Sequence, residues 1–240
     1  MTVAPYQNSD KNKKQQVEQM FDNIAAKYDF LNHFLSLGID RLWRKKAVKI
    51  LREYHPKRVL DVATGTGDFA IATSRLNVDE IIGYDLSGEM IRVGEEKVKK
   101  LGLDSLIRFQ KGDSESMPFE DDSIDAITVA FGVRNFETLQ SGLDEFYRVL
   151  HDDGVAIILE FSKPKHFPFK QLYKFYFFHI LPFVGGLVSK DSSAYTYLPE
   201  SVMAFPDDQD MLNILSDTGF RQVRQRRLTM GIATIYIAQK

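Results

Sequence analysis

Two carboxylates bracket a glycine turn in the run Val59-Leu60-Asp61-Val62-Ala63-Thr64-Gly65-Thr66-Gly67-Asp68. The apolar half reads as a buried strand, and the glycine half as a turn that opens a helix. Gly65 and Gly67 lack a Cβ and tolerate positive φ, so backbone can approach a ligand closely there. Eighteen residues after Gly67, the apolar run Ile81-Ile82-Gly83-Tyr84 ends in Asp85. A carboxylate in that place can accept both hydroxyls of a ribose. A third run, Ile107 to Lys111, ends in Gly112-Asp113-Ser114. Asp113 can accept from the exocyclic amine of adenine, and the neighbouring backbone N–H can donate to the ring, although Gly-Asp-Ser turns are common anywhere. Together the three strand ends outline the nucleotide-binding half of a doubly wound sheet.

The kind of nucleotide follows from charge. Gly65-Thr66-Gly67-Asp68-Phe69-Ala70 satisfies the spacing of a dinucleotide site, with alanine at the third place. Asp61 and Asp68 would repel a pyrophosphate by about 1 kcal/mol per close pair even in high dielectric. A ligand with an ammonium and a sulfonium and no phosphate suits them better, and S-adenosylmethionine is such a ligand. Asp61, Gly65, Gly67, Asp85 and Asp113 are its expected contacts. The competing expectation is that Asp61 and Asp68 only cap the turn and the helix.

The chain has 240 residues, 44% of them hydrophobic, and a formal net charge of −2. That suits one α/β domain with a good core. It gives no case for nucleic acid, which wants a clustered basic surface. Cysteine is absent, so disulfides and thiolate metal sites are excluded and a cytoplasmic location fits. His33, His55, His151, His166 and His179 show no ligand spacing, and no metal site is expected. Met1 to Gln16 is polar and Lys-rich, neither a signal peptide nor a membrane anchor.

The elements that must position these residues are legible in outline. Residues 1–14 read as disordered, and 15–240 as a single domain that begins with a helical cap over 15–54. Within the cap, Gln15 to about Lys27 carries Val17, Met20, Phe21 and Ile24 on one helical face, Asp29 to Leu37 reads as a second short helix, and Asp40 to Tyr54 as a third. Strands are predicted near 58–63, 81–85, 107–111, 125–131 and 155–161. A helix over 87–101 starts at a Ser87 cap. A further helix at about 208–218, capped by Asp207 and ended by Gly219, precedes two closing strands at 223–228 and 232–238. The fold class is α/β and Rossmann-like: a seven-stranded, mostly parallel sheet with a closing antiparallel hairpin.

One insertion, residues 165–205, lies between the fifth strand and that hairpin. Its stretch from Phe167 to Val188 is crowded with aromatics, including Phe167, Phe169, Tyr173, Phe175 and Phe177, interrupted by Lys170, Lys174, His179 and Pro182. It is too short and too broken to span a membrane. It reads either as a buried core helix or as a lid over a greasy ligand that also dips into a membrane interface.

These residues resemble the quinone C-methyltransferases of menaquinone and ubiquinone biosynthesis, and within them the branch that acts on demethylmenaquinol. The resemblance runs from about Val17 to Lys240. It rests on Met20-Phe21-Asp22 with Ala26-Lys27-Tyr28-Asp29, on Leu35 to Asp40 with Trp43-Arg44, on Asp61 to Asp68, on Phe131-Gly132-Val133-Arg134-Asn135-Phe136, on Leu159-Glu160-Phe161-Ser162, and on Ser193-Ala194-Tyr195 through Ser201. It implies a class I S-adenosylmethionine-dependent methyltransferase fold, with Thr64, Asp85, Asp113 and Ser114 as cofactor contacts. Ala130 departs from relatives that carry serine there, and no contact is carried over to it. The implied substrate is a quinol ring with a polyprenyl tail, methylated in the final step of menaquinone synthesis, or a benzoquinol of the ubiquinone pathway. The implied partners are that quinol and, transiently, the inner face of the membrane; a homodimer is left open.

On that reading the quinol's ring carbon attacks the methyl while the enzyme holds both ligands and stabilises the phenolate. Arg134 and Asn135, at a strand end, are the expected donors, and an ion pair with Glu160 is the competing role for Arg134. Tyr28 or Asp29 would relay the proton or simply fix the cap, and Tyr195 is a weaker candidate. Rival readings are a methyltransferase for small polar acceptors, a non-catalytic cofactor-binding scaffold of a quinone-synthesis complex, and a dinucleotide dehydrogenase.

Overall fold

Val59, Leu60, Asp61 and Val62 are all buried, because their strand runs down the middle of a sheet covered on both faces. The computed structural model describes residues 3–6, 9–180 and 193–240. The strands are β1 (Arg58–Val62), β2 (Glu80–Asp85), β3 (Ile107–Lys111), β4 (Ile124–Ala130), β5 (Leu150–Phe161), β6 (Arg221–Leu228) and β7 (Ala233–Gln239). They form one sheet in the order β3-β2-β1-β4-β5-β7-β6. The first five pair in parallel, while β7 runs antiparallel to both β5 and β6. This is the expected sheet. Its order reverses between β1 and β4, and that switch point leaves a crevice at the strand C-termini where ligands of such sheets bind.

The described helices are α1 (Lys13–Leu35), α2 (Ile39–Leu51), α3 (Asp68–Thr73), α4 (Gly88–Lys100), α5 (Leu139–Val149), α6 (Phe169–Phe175), α7 (Ser193–Ala204) and α8 (Gln209–Thr218). Trp43, Leu51, Phe69 and Val98 of α2, α3 and α4 cover one sheet face. Leu143, Phe146, Met211 and Leu215 of α5 and α8 cover the other. One aromatic decides how closely the nucleotide end can pack. A Cβ on Gly67, Gly83 or Gly94 would come within 2.8 Å of the Phe109 ring, so glycine at all three lets the turn, β2 and α4 close on it.

α1 differs from expectation. It is one helix of 23 residues rather than two pieces, since nothing between Lys27 and Leu35 is glycine or proline and the polar Tyr28-Asp29 step has partners of its own. It also begins at Lys13, so Lys13 and Lys14 belong to structure rather than to a disordered tail. Even before it, the Tyr6 backbone N–H donates to Gln16 Oε1 at 2.9 Å. Val17, Met20 and Ile24 of α1 pack against Met90 of α4 and Ala194 and Tyr197 of α7. That seam lays α1 across the crevice. Asp207 is not the α8 cap: its carboxylate accepts from the Lys163 backbone N–H at 3.0 Å, and Asp208 holds the cap position. Gly219 ends α8 in the left-handed region, φ 114°, as expected.

Candidate functional site

At the end of β1 the Asp61 side chain is 1% exposed. It accepts from Thr64 Oγ1 at 2.5 Å, from the Ala70 N–H at 3.1 Å and from Thr128 Oγ1 at 2.7 Å. One carboxylate therefore ties together β1, the glycine turn, α3 and β4. Burial pushes it up to about 6 against the pull of those three hydrogen bonds. Gly65 and Gly67 both sit at positive φ, 56° and 81°, the region that suits glycine. The Gly65 N–H donates to Asp85 Oδ2 at 2.7 Å, and Asp85 Oδ1 accepts from the Ser87 N–H at 2.9 Å. Ser87 in turn caps α4 by accepting from the Met90 N–H at 3.1 Å, as the sequence predicts.

A cavity of about 70 Å³ opens beside this turn, lined by Gly65, Asp85, Asp113, Ser114, Asn135 and Tyr28 among others. Asp61, Thr64 and Gly67 lie behind its wall and hold the turn. Asn135 Oδ1 is buried and has no hydrogen-bond partner among the described residues, which marks it as an acceptor awaiting a donor. α1 is strapped over the cavity by charges at a spacing of four: Lys14 to Asp113 at 2.6 Å, Glu18 to Lys111 at 2.7 Å, and Asp22 to the Ser87 hydroxyl at 2.5 Å.

A second, larger cavity of about 340 Å³ lies next door and shares Phe21, Tyr28 and Phe131 with the first. Its walls are mostly apolar, with Trp43, Phe161, Phe177, Leu198 and Ile232 among them. Arg134 lines it too. Of the two expectations for this arginine, the ion pair is present: its Nη1 pairs with Glu160 Oε1 at 2.9 Å, and also donates to the Phe131 carbonyl. Glu160 is fully buried. Burial pushes its carboxyl up, and Arg134 pulls it back down. The described part of the aromatic insertion is divided between buried and exposed side chains. Tyr173 and Phe177 are buried against the cavity, whereas Phe167, Leu172 and Phe175 are 81%, 61% and 58% exposed. Residues 181–188 of that stretch, Phe183 included, lie outside the described residues.

Two placements differ from the sequence reading. Asp29 lines neither cavity. It accepts from Thr66 Oγ1 and from Lys97 Nζ, the latter at 2.7 Å, and so tethers α1 to the turn and to α4. The histidines also conceal a cluster. His33 Nδ1 lies 2.9 Å from Asp40 and its Nε2 3.5 Å from Asp68, bringing the three side chains into metal-ligand range. Arg44 and Lys97 already serve those carboxylates, with Arg44 Nη1 at 2.5 Å from Asp40 and Lys97 Nζ at 2.8 Å from Asp68. In spite of burial both acids are held below their usual range, Asp40 by the Ser36 hydroxyl and Arg44, and Asp68 by Arg44 and Lys97, and the group reads as an ion cluster. His33 and Asp40 lie on either side of a helix break and Asp68 comes from the distant turn, so no spacing in the sequence announces it. Tyr195 lies on α7.

Residues 9–240 match the family model described as the ubiE/COQ5 methyltransferase family. The chain belongs to this family. A demethylmenaquinone methyltransferase of Bacteroides fragilis is 54% identical over 99% of the chain and 97% of its own length. A ubiquinone/menaquinone biosynthesis C-methyltransferase UbiE of Geotalea uraniireducens is 47% identical over 95% of the chain and 97% of its own length. Among solved structures, an Aquifex aeolicus SAM-dependent methyltransferase superposes with TM-score 0.60 at 21% identity, covering 95% of this chain and 99% of that one. The fold is that of the class I SAM-dependent methyltransferases. For a ubiE/COQ5 methyltransferase the smaller cavity carries side chains that suit an adenosine-containing cofactor. It offers a carboxylate at the β2 end, a second at the β3 end and an orphan acceptor at Asn135.

Burial pushes Asp85 up to about 6, against the pull of the Ser87, Gly65 and Leu86 backbone N–H groups. Ribose hydroxyls need the ionised carboxylate as acceptor. Affinity for S-adenosylhomocysteine is therefore expected to be full above that value and to fall about tenfold per pH unit below it. Calorimetric titration between pH 5 and 8 measures this. Asp85→Asn is expected to bind weakly with a flatter profile; an unchanged profile in that variant would remove Asp85 from the ligand.

Proposed function

We propose that the chain is an S-adenosylmethionine-dependent C-methyltransferase that converts a polyprenylated demethylmenaquinol to the menaquinol. The observation that supports this most is the pair of adjoining cavities, the smaller one carrying Asp85, Asp113 and Asn135 and the larger one mostly apolar, that share Phe21, Tyr28 and Phe131. A methyl donor held in the smaller one and a greasy ring held in the larger one would meet across that wall. The name of the 54% identical relative puts the naphthoquinol ahead of a benzoquinol.

S-adenosylmethionine, when bound, supplies a methyl group on a positively charged sulfur. Asp85 would hold its ribose, Asp113 and Ser114 its adenine edge, and Asn135 Oδ1 would accept from one of its donors, with Gly65 giving close backbone approach. Asp61, Thr64 and Gly67 keep that turn in shape from behind. In the apolar cavity Arg134 faces the ring oxygen that gains negative charge as the adjacent carbon attacks. Glu160 and the Phe131 carbonyl fix the guanidinium in advance, so little reorganisation is left for the reaction itself. Burial raises the Tyr28 hydroxyl's pKa above its ordinary value, opposed by its hydrogen bond to Asn32 and by Arg134 and Arg44. It therefore stays protonated at neutral pH and serves as a donor, not as the base. For each methyl passed from sulfur to the ring carbon one proton is released overall: the hydroxyl proton leaves as that carbon becomes nucleophilic, the ring proton is lost to restore aromaticity, and the ring oxygen takes one proton back as the quinol re-forms.

The tail needs apolar surface, worth roughly 25 cal/mol per Å² covered. The exposed outer side of α6, with Leu172 and Phe175 beside Lys170 and Lys174, is the surface on which the enzyme would meet an anionic bilayer. Among the described residues no helix is long and apolar enough to cross a membrane.

Labelled methyl transfer in detergent, with a short-tailed demethylmenaquinol and a demethoxy-type benzoquinol side by side, tests the reaction. Product from the naphthoquinol is expected. Arg134→Lys keeps charge beside Glu160 but loses the fork, and is expected to lose about 100-fold in kcat. Turnover of neither quinol by protein that binds S-adenosylhomocysteine contradicts the proposal. Sedimentation with vesicles rich in anionic lipid tests the surface. Binding is expected to drop in a Phe167→Ser, Leu172→Ser, Phe175→Ser variant; equal binding by that variant would place the contact elsewhere.

A further inference from the structure

Two buried hydroxyls in the apolar cavity have nothing to bond to. Tyr173, on α6, is 6% exposed and Tyr197, on α7, is 3% exposed. Both line the larger cavity, and neither hydroxyl has a hydrogen-bond partner among the described residues. A buried polar group left unpaired costs about 1–3 kcal/mol, so two in one cavity call for an explanation. Arg134 Nε, in the wall of the same cavity, is also buried without a partner. Three donors without a partner among the described residues thus belong to side chains that line one mostly apolar space.

Resting on the methyltransferase reading above, we propose that Tyr173 and Tyr197, together with Arg134, grip one oxygen of the quinol ring and so select a hydroxylated ring and fix the carbon it presents. Their chemistry matches that task. Burial pushes the Tyr197 hydroxyl up to about 12 and the Tyr173 hydroxyl further still, with Arg134 opposing and Glu160 adding to the rise in both. Both therefore remain O–H donors at any working pH. Both line the cavity that Arg134 also lines. A prenyl tail offers them nothing, and a hydrocarbon ring without oxygens would leave them as unpaired as they are now. A ring oxygen that becomes a phenolate would satisfy all three donors and bind them more tightly as its charge grows. Both helices belong to the insertion of residues 165–205, so the ring's polar end would be held by the same insertion whose outer side is proposed to meet the membrane. The sequence reading included Tyr173 only as one of many aromatics and passed over Tyr197 for its neighbour Tyr195.

The test is a pair of isosteric variants, Tyr173→Phe and Tyr197→Phe, each removing one oxygen atom. A hydroxyl that has no partner in the free protein contributes no stability, so the thermal midpoint of each variant is expected to stay level or rise. The kcat/KM for demethylmenaquinol is expected to fall about 10- to 100-fold, with S-adenosylhomocysteine affinity unchanged. A prenylated 1-naphthol, which lacks one ring oxygen, separates binding from mere packing. Because that oxygen also activates the attacking carbon, the probe is read by equilibrium binding and not by turnover: if the tyrosines grip the oxygen, its loss weakens binding to the wild type and weakens binding to the variants no further. Variants with wild-type kcat/KM would overturn the inference, and so would a marked fall in the midpoint, which would show that the hydroxyls are bonded within the protein. Failure of the wild type to methylate either quinol would instead count against the reaction assigned above, leaving the two failures distinct.

Discussion

Asp61 holds a carboxylate almost wholly out of water at the meeting point of β1, the glycine turn, α3 and β4. Its donors are two threonine hydroxyls and one backbone N–H. An ionised carboxylate in such a place is tolerable only because each oxygen is bonded, and the rise to about 6 shows how much of the burial cost remains. The arrangement propagates. With the turn fixed, the Gly65 N–H points at Asp85, Asp85 orders Ser87, and Ser87 caps α4. Asp61 and Asp85 between them thus fix the glycine turn and the start of α4, beside the cavity that would take the cofactor.

α1 then gives the site its two compartments. Its apolar seam of Val17, Met20 and Ile24 supplies the adhesion, at roughly 1.5–3 kcal/mol for each side chain fully buried. The straps through Lys14, Glu18 and Asp22 are part-exposed pairs, worth about 1 kcal/mol or less apiece, and their value lies in register. One strap bears directly on binding. Lys14 occupies an oxygen of Asp113, so an adenine amine must share that carboxylate or displace the lysine. Tyr28, further along the same helix, faces both cavities. Movement of α1 would therefore loosen the cofactor and the acceptor ring together.

Much of this was legible from local chemistry. The glycine turn, the Asp85 strand end, the Ser87 cap and the strand succession are each encoded within a few residues, and the structure keeps them. Family likeness singled out Arg134, and its ion pair with Glu160 is among the roles the sequence offers. What the sequence leaves open is which role a side chain takes, because that depends on long-range packing. Asp61 reads as a ligand contact or as a cap of the turn, and Thr128 of β4 is a donor to it that no local pattern announces. Asp29 reads as a proton relay or as a residue that fixes the cap, and its bonds to Thr66 and Lys97 give it the second role. The break predicted near Tyr28 followed from polar residues interrupting an apolar stripe, and those residues turned out to have their own partners across the crevice. The Tyr173 and Tyr197 hydroxyls carry no spacing signal at all, because only burial reveals that they are unpaired.

The central claim is that cofactor and quinol occupy separate, adjoining spaces divided by Phe21, Tyr28 and Phe131. Equilibrium binding of a short-tailed demethylmenaquinone, followed by quenching of the protein's fluorescence in detergent, tests it with and without saturating S-adenosylhomocysteine. Affinity that is equal or higher on the loaded enzyme is the result expected of two compartments sharing one wall. Competitive displacement of the quinone by S-adenosylhomocysteine would show that both ligands seek the same space, and the account would fail.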